Sequence, residues 1–237
     1  MNKERLECAI HYVMSLVGGF LGAYALLNHS DIFCSAQTSN MIYIIINIFG
    51  KNYSGLVVRI FALLLYMSGL ACTIIIPKYT KINMHVFSIL LNMAVVLLIG
   101  FFPKNINDVV ALYPLFFITA IQWNSFKGAE GYVSSSIFST NNLRQFTMSF
   151  MEYICDKDQK HLHKAKFYGG VLLFYHVGVG ISYLAYKVLG IKGAWICLLP
   201  LMMALTLVNL EDNWSPAKHK ISRIYISARR TLETFRL

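Results

Sequence analysis

Six apolar stretches dominate this 237-residue chain: Cys8–Leu27, Val57–Ile76, Met84–Phe102, Val109–Phe126, Phe167–Tyr186 and Ala194–Leu210. Each runs for 17 to 20 residues, about what an α-helix needs to cross ~30 Å of hydrocarbon. A bilayer offers no water to satisfy a bare backbone, so stretches of this kind must be helical. Punctuation falls between them, at Pro77-Lys78, at Phe102-Pro103-Lys104 and in the charged segment Cys155–Lys166. Composition agrees. Hydrophobic residues make up 57% of the chain and charged residues 14%, where a soluble domain carries about 25% charged. The mean hydropathy is +0.55. No soluble domain fits in the remainder, and hydropathy argues against a soluble protein with buried helices. The expected fold is all-α, a polytopic transmembrane helical bundle with six long spans.

The first stretch has features of a signal peptide: Lys3 and Arg5 precede it, and Ala23-Tyr24-Ala25 resembles a cleavage site. The apolar run continues through Leu26-Leu27, which favours a retained span. The net charge of +10 is explained by the positive-inside rule rather than by nucleic acid. With six spans and the N-terminus inside, 16 of the 21 Lys and Arg face the cytoplasm. Lys51, Arg59, Lys104, Lys187 and Lys192 are the others. Both termini are then cytoplasmic. The five cysteines are scattered, with no CxxC pair, so neither a disulfide framework nor a zinc site is expected.

A short polar motif occurs twice inside this apolar sequence, as Gln37-Thr38-Ser39-Asn40-Met41 and as Ser139-Thr140-Asn141-Asn142-Leu143-Arg144. Each copy follows a long apolar stretch and opens a shorter helical run, about Thr38–Gly50 and Thr140–Cys155. Hydrogen-bonding groups are costly in hydrocarbon. Two copies in matching places therefore predict a twofold internal repeat with a polar site at its centre. The repeats are residues 1–103 and 104–210, followed by a cytoplasmic basic amphipathic tail, 211–237. Thirteen helical residues reach only ~20 Å, so each short helix is either re-entrant or part of a broken span. Three crossings per half make the repeats inverted, and four make them parallel. Charge does not choose between these, because eight crossings also leave 5 of 21 basic residues outside.

A helix N-terminus leaves about four N–H donors unpaired and carries partial positive charge. Thr38, Ser39, Asn40, Thr140, Asn141 and Asn142 are good capping residues. Paired broken-helix N-termini are how many transporters hold polar or anionic groups. The candidate substrate-binding residues are thus Gln37, Thr38, Ser39, Asn40, Gln122, Asn124, Thr140, Asn141 and Asn142. The competing reading is that the motif residues only cap their helices and bond to a neighbour. His11 and His176 lie within spans, where a histidine is either functional or bonded to a carbonyl. Asn47 and Asn92 read as interhelical hydrogen bonds, and Arg59 and Arg144 as snorkelling to the interface. Glu130, in Gly128-Ala129-Glu130-Gly131, belongs to a loop able to cover the second motif. No GxSxG, HExxH, Walker loop or GxGxxG is present. No catalytic residue, metal ligand or cofactor is therefore named, and an enzyme is not expected.

In the tail, Ile221, Ile224, Tyr225, Ala228, Leu232 and Phe235 recur at helical spacing among Lys218, Lys220, Arg223, Arg229, Arg230 and Arg236. That pattern suits a helix lying on anionic lipid headgroups. A partner-binding helix is the alternative.

Two stretches resemble the YoaK-like bacterial membrane proteins, a family catalogued as a domain of unknown function. The first is Gly18-Gly19-Phe20-Leu21-Gly22-Ala23-Tyr24 with Asp31 through Asn40. The second is Ile121 through Lys127 with Ser139 through Arg144. The resemblance covers nearly the whole chain and implies a multi-pass protein of the bacterial cytoplasmic membrane. Where the family commonly has Asp, this chain has Gly22. The glycine of each TGN element is replaced, by Ser39 and by Asn141.

The function expected is a small-molecule transporter or permease-like protein acting on an unknown small polar or anionic molecule. The alternative is a non-transporting scaffold or regulatory protein acting through its basic tail. The partners expected are the lipid bilayer and anionic headgroups at the tail, without nucleic acid and with a homo-oligomer left open.

Overall fold

The computed structural model describes residues 3–29, 32–103 and 105–212. The expected tail falls outside them, apart from Glu211 and Asp212, and so does Asp31. The described chain is all-α but for one two-residue strand pair. Its helices are α1 (Lys3–Asn28), α2 (Thr38–Phe49), α3 (Tyr53–Tyr79), α4 (Met84–Ile99), α5 (Asp108–Ala111), α6 (Tyr113–Ser125), α7 (Thr140–Asp156), α8 (Gln159–Leu189) and α9 (198–212). A 3-10 segment, Gly190–Cys197, joins the last two. By length and composition, three helical runs are long and apolar enough to cross a membrane: α1, α3 and the run Gln159–Asp212. The shorter α2 and α4 are also apolar.

Local chemistry sets the boundaries. Asn52 begins α3 by accepting from Gly55 N, and Asn83 begins α4 by accepting from His85 N and Val86 N. Both are side-chain caps of the usual kind. The stretch expected as one span, Val109–Phe126, is instead two helices broken at Leu112. Pro114 stands at the start of α6. It has no N–H to give and its ring crowds the carbonyl four residues back, so the first helix cannot run through. The loop after α6 is a hairpin, Gly128–Ala129 paired with Tyr132–Val133. Glu130 and Gly131 form its turn at φ 55° and 78°, the left-handed pair that matches strand twist in a tight hairpin. Glu130 then pairs with His163 on α8 at 3.0 Å.

Contacts fix the direction of each helix. Tyr12 meets Phe174, Gly19 meets Tyr175, and Leu27 shares a cavity with Tyr186, so α1 and α8 run parallel. In the same way Phe61 meets Tyr113 and Gly69 meets Phe117, so α3 and α6 run parallel. Gln122 Nε2 donates to Met14 O at 2.9 Å, and Ser125 and His11 line one cavity, which sets α6 antiparallel to α1. The run Gln159–Asp212 reverses within its 3-10 segment. Trp195 Nε1 donates to Leu97 O at the C-terminal end of α4, while Asn83 before α4 donates to Asp212.

The centre of the bundle is α1. Of its most apolar stretch 78% is buried, against 17% for α3. Glycine makes the closest approaches possible. A Cβ at Gly19 would lie 1.9 Å from Tyr175 O, and one at Gly178 would lie 2.0 Å from Leu16 O. Small residues at such a seam let two backbones touch.

Candidate functional site

Two loops return into the bundle and lodge between α1 and α6, one helical turn apart. The first follows α1: Cys34 O accepts from Thr119 Oγ1 at 3.3 Å, and Cys34 Sγ lies 3.9 Å from Leu21 O. The second follows the hairpin. There Ser136 Oγ accepts from Gln122 Nε2 at 3.4 Å, and Ser136 O sits where a Cβ of Gly18 would stand, 1.9 Å away. Thr119 and Gln122 are one turn apart on α6, as are Gly18 and Leu21 on α1. Each loop is also tied by a tyrosine. Tyr66 of α3 donates to Ser35 O at 3.3 Å, and Tyr168 of α8 to Val133 O at 2.7 Å.

Each loop leads into a short helix that starts where the motif predicts, α2 at Thr38 and α7 at Thr140. The cap positions are Gln37 and Ser139, and neither makes a side-chain cap bond. The third helical residue acts instead, because helical side chains lean toward the N-terminus and reach the preceding turn. Asn40 Nδ2 donates to Gln37 Oε1 at 2.9 Å and to Arg59 O at 3.0 Å, and Asn40 Oδ1 accepts from Arg59 Nη1 at 3.4 Å. Asn142 Nδ2 donates to Ser135 O at 2.7 Å and to Phe138 O at 3.3 Å, and Asn142 Oδ1 accepts from Ser134 Oγ at 3.0 Å and Ser135 N at 3.4 Å. Both asparagines are buried. Thr38, Ser39 and Thr140 are exposed, and Asn141 is half-buried. Asn124 bonds to Thr73 of α3. Among the described residues no hydrogen bond joins Gln37–Asn40 to Ser139–Asn142. What converges is the pair of loops in front of them, with Gln122 beside the second.

The two replaced glycines needed no special backbone. Neither Ser39 nor Asn141 has a positive φ, so an L residue stands there without strain. Gly22 is different. A Cβ there would lie 2.9 Å from the Phe33 ring and 3.1 Å from Tyr175 Oη, so a larger residue displaces Phe33.

A polar cavity of about 230 Å³ opens at the bundle end formed by the start of α1 and the ends of α6 and α9. Its polar lining is Glu7, His11, His85, Ser125, Lys127 and Glu211. His11 is 1% exposed and both its ring nitrogens lack a partner. Ser125 Oγ is buried without one too. His85 Nε2 lies 3.0 Å from Ser125 O; a carbonyl only accepts, so this nitrogen carries the proton. From the cavity, polar residues recur inward at helical spacing. On α1 they are Glu7, His11 and Ser15, on α4 His85, Ser88 and Asn92, and on α6 Ser125, Gln122 and Thr119. Ser88 Oγ, Asn92 Oδ1 and Gln122 Oε1 are buried and unpartnered.

Sequence reasoning missed this path, although the three- and four-residue spacing of its polar side chains was in view. It weighed His11 and His176 alike. His176 is the carbonyl-bound case, with Nδ1 2.8 Å from Leu172 O. His11 is not. Asn92 bonds within its own helix, to Ser88 O at 2.8 Å, rather than across to a neighbour. Arg59 does not simply snorkel. It holds Asn40 and lies 4.2 Å over the Tyr43 ring. At the opposite end His29 bonds Asp108 at 3.4 Å. Burial lowers the pKa of His29, and Asp108 offsets part of that.

No curated protein and no solved structure matches this chain. A family model does match, over residues 10–208, which take in both loops, both short helices and the polar residues from His11 inward. The chain belongs to that family, described as Protein of unknown function (DUF1275).

Proposed function

We propose that this chain is a small-molecule transporter or permease-like protein of a bacterial cytoplasmic membrane, of the YoaK-like kind, with its polar site where the two loops lodge. The carrying observation is Gln122. It is fully buried beside the second loop, keeps Oε1 unpartnered, and stands one helical turn inward from Ser125 of the His11 cavity. Unsatisfied buried polar groups are rare in folded proteins and are natural places for water or ligand. The substrate-binding residues proposed with Gln122 are Gln37–Asn40 and Thr140–Asn142, which follow the two loops, and Asn124, which faces Thr73 of α3. The substrate is a small polar or anionic molecule.

An inverted twofold repeat with six spans and two re-entrant helices supports this reading. Asn40 and Asn142 are 102 residues apart, as are Cys34 and Ser136. α1 packs chiefly on α8, and α6 on α3, while α2 and α7 each pack on the helix that follows. The end of α1 and the end of α2 both lie by Asn107 and Asp108, so α2 returns to the side α1 reached. Each half then crosses three times, the inverted case. The basic-residue excess puts the His11 cavity on the cytoplasmic side.

A second reading has one observation in its favour. Asn142 is fully engaged by its own loop, as expected of a packed scaffold that acts through its tail. Thiol chemistry separates the two. In a background without native cysteines, Ser125→Cys and Gln122→Cys are expected to react with a small water-soluble methanethiosulfonate, Gln122→Cys more slowly. If both stay inert in folded protein, the path is dry and the transport reading falls.

A further inference from the structure

A second cavity, about 440 Å³, lies at the far end of the bundle, where the α2–α3 turn meets the chain before α5. Its polar wall is Asn47, Asn52, Ser54, Arg59 and Asn107, and among the described residues no Asp or Glu lines it. Asn47 is only 8% exposed, and its Nδ2 is buried without a partner. Asn52 Oδ1 is taken by Gly55 N at 3.0 Å, which turns its own Nδ2 the other way. The two amides converge on the bare face of Gly55. A Cβ there would lie 2.8 Å from Asn52 Nδ2 and 3.1 Å from Asn47 Nδ2. Arg59 makes no ion pair among the described residues. Its guanidinium meets Asn40 Oδ1 at 3.4 Å and the Tyr43 ring. Asp108, next to Asn107 in sequence, bonds to His29. The first turn of α3 adds the positive end of a helix dipole.

The cavity is thus a cradle of donors around a half-buried guanidinium that lacks a counter-ion. We infer that it binds a phosphate-type oxyanion, whose several acceptor oxygens meet donors arriving from different sides. That group is either free or the headgroup of an anionic lipid. Phe49, Tyr53 and Val57, close in sequence to lining residues of the same turn and helix, are 83%, 67% and 66% exposed, an apolar surface on which an acyl chain can lie. The site is distinct from the Gln122 site and is tested by binding alone, so either reading can fail without the other.

The test uses the full-length protein in a neutral detergent, with inorganic phosphate in one arm and phosphatidylglycerol, against phosphatidylcholine, in the other. Thermal stability and native mass spectrometry report binding. The variants are Arg59→Gln and Gly55→Ala; the second fills the cradle, and alanine is at home in a helix. Saturable binding is expected in at least one arm, weakened by on the order of tenfold in both variants, as the loss of a charge-assisted contact implies. Binding of phosphatidylglycerol alone assigns a lipid headgroup, and binding of phosphate with no lipid preference assigns a soluble anion. Binding in neither arm, phosphatidylcholine bound as well as phosphatidylglycerol with no phosphate response, or full binding in folded Gly55→Ala and Arg59→Gln overturns the inference.

Discussion

The two loop-and-helix units, 32–49 and 134–156, share a seat but not a surface. Both loops lodge between α1 and α6, both lead to a helix whose third residue is a buried asparagine, and both short helices are followed by a left-handed lysine, Lys51 or Lys157. A cap for the next helix then follows, Asn52 or Asp158. Outwardly they differ. α2 has 12 residues and no charge, and it exposes Met41, Ile42, Ile45, Ile46, Ile48 and Phe49. α7 has 17 residues and carries Arg144, Glu152 and Asp156, with Glu152 3.0 Å from His161 on α8. The inner face answers to α1 and α6 and the outer face to the local surroundings, so the two are separable. That separation explains why the motif is legible twice in a chain whose halves look unlike elsewhere.

The sharpest break in the comparison lies in how the loops are seated. The second rests against backbone and the first is held by a hydroxyl. Gly18→Ala drives a Cβ into Ser136 O and is expected to destabilise by about 3 kcal/mol, the upper range for overpacking. Thr119→Val removes one hydrogen bond, at about 1 kcal/mol. Thermal unfolding in detergent ranks them, and equal losses would show that the seats are alike. A smaller contrast sits at the asparagines. Asn142→Ala strands several groups of its own loop and is expected to lose about 2 kcal/mol, while Asn40→Ala loses nearer 1 kcal/mol because Gln37 and Arg59 are less buried and can turn to water. Reversal of that order would place the tighter knot in the first unit. The smallest effect concerns the outer faces and leaves stability unchanged. Cys155 on α7 is exposed and is expected to react with a membrane-impermeant maleimide. Ile48→Cys on α2, in a background without native cysteines, is expected to stay unlabelled in a bilayer; brisk labelling would put water along α2.

Much of the architecture was readable beforehand. The six apolar stretches are all helical, and the short helices begin at Thr38 and Thr140 as the motifs require, because apolar periodicity and a polar break are local signals. The break at Leu112 was also local, carried by Pro114, but it is hidden inside an apolar run. What a sequence does not display is direction and partnership. Charge does not say where α2 ends, and it took the contacts of His29, Asn47 and Asn107 to put the ends of α1 and α2 at one end of the bundle. The side-chain caps expected of the motif residues are absent for a related reason. An asparagine in the first turn can cap its own helix or tie the loop before it, and only the course of the loop decides. His11 and His176 look equivalent in sequence, and what separates them is that His176 bonds Leu172 O while the His11 ring stacks on Phe167 and finds no hydrogen-bond partner among the described residues.

The parallel seam of α1 and α8 has a consequence for how the chain is made. Among the described helices the one at the centre of the bundle is made before the others, and its chief partner comes late. At ordinary elongation rates of ~5–20 residues per second, the ~130 residues between the end of α1 and the start of α8 take on the order of ten seconds. Throughout that interval α1 has no α8 to pack on, α6 arrives only late in it, and Gly19 faces a gap that Tyr175 has yet to fill. A nascent chain of this design holds the face meant for its core uncovered until its long C-terminal helical run is made.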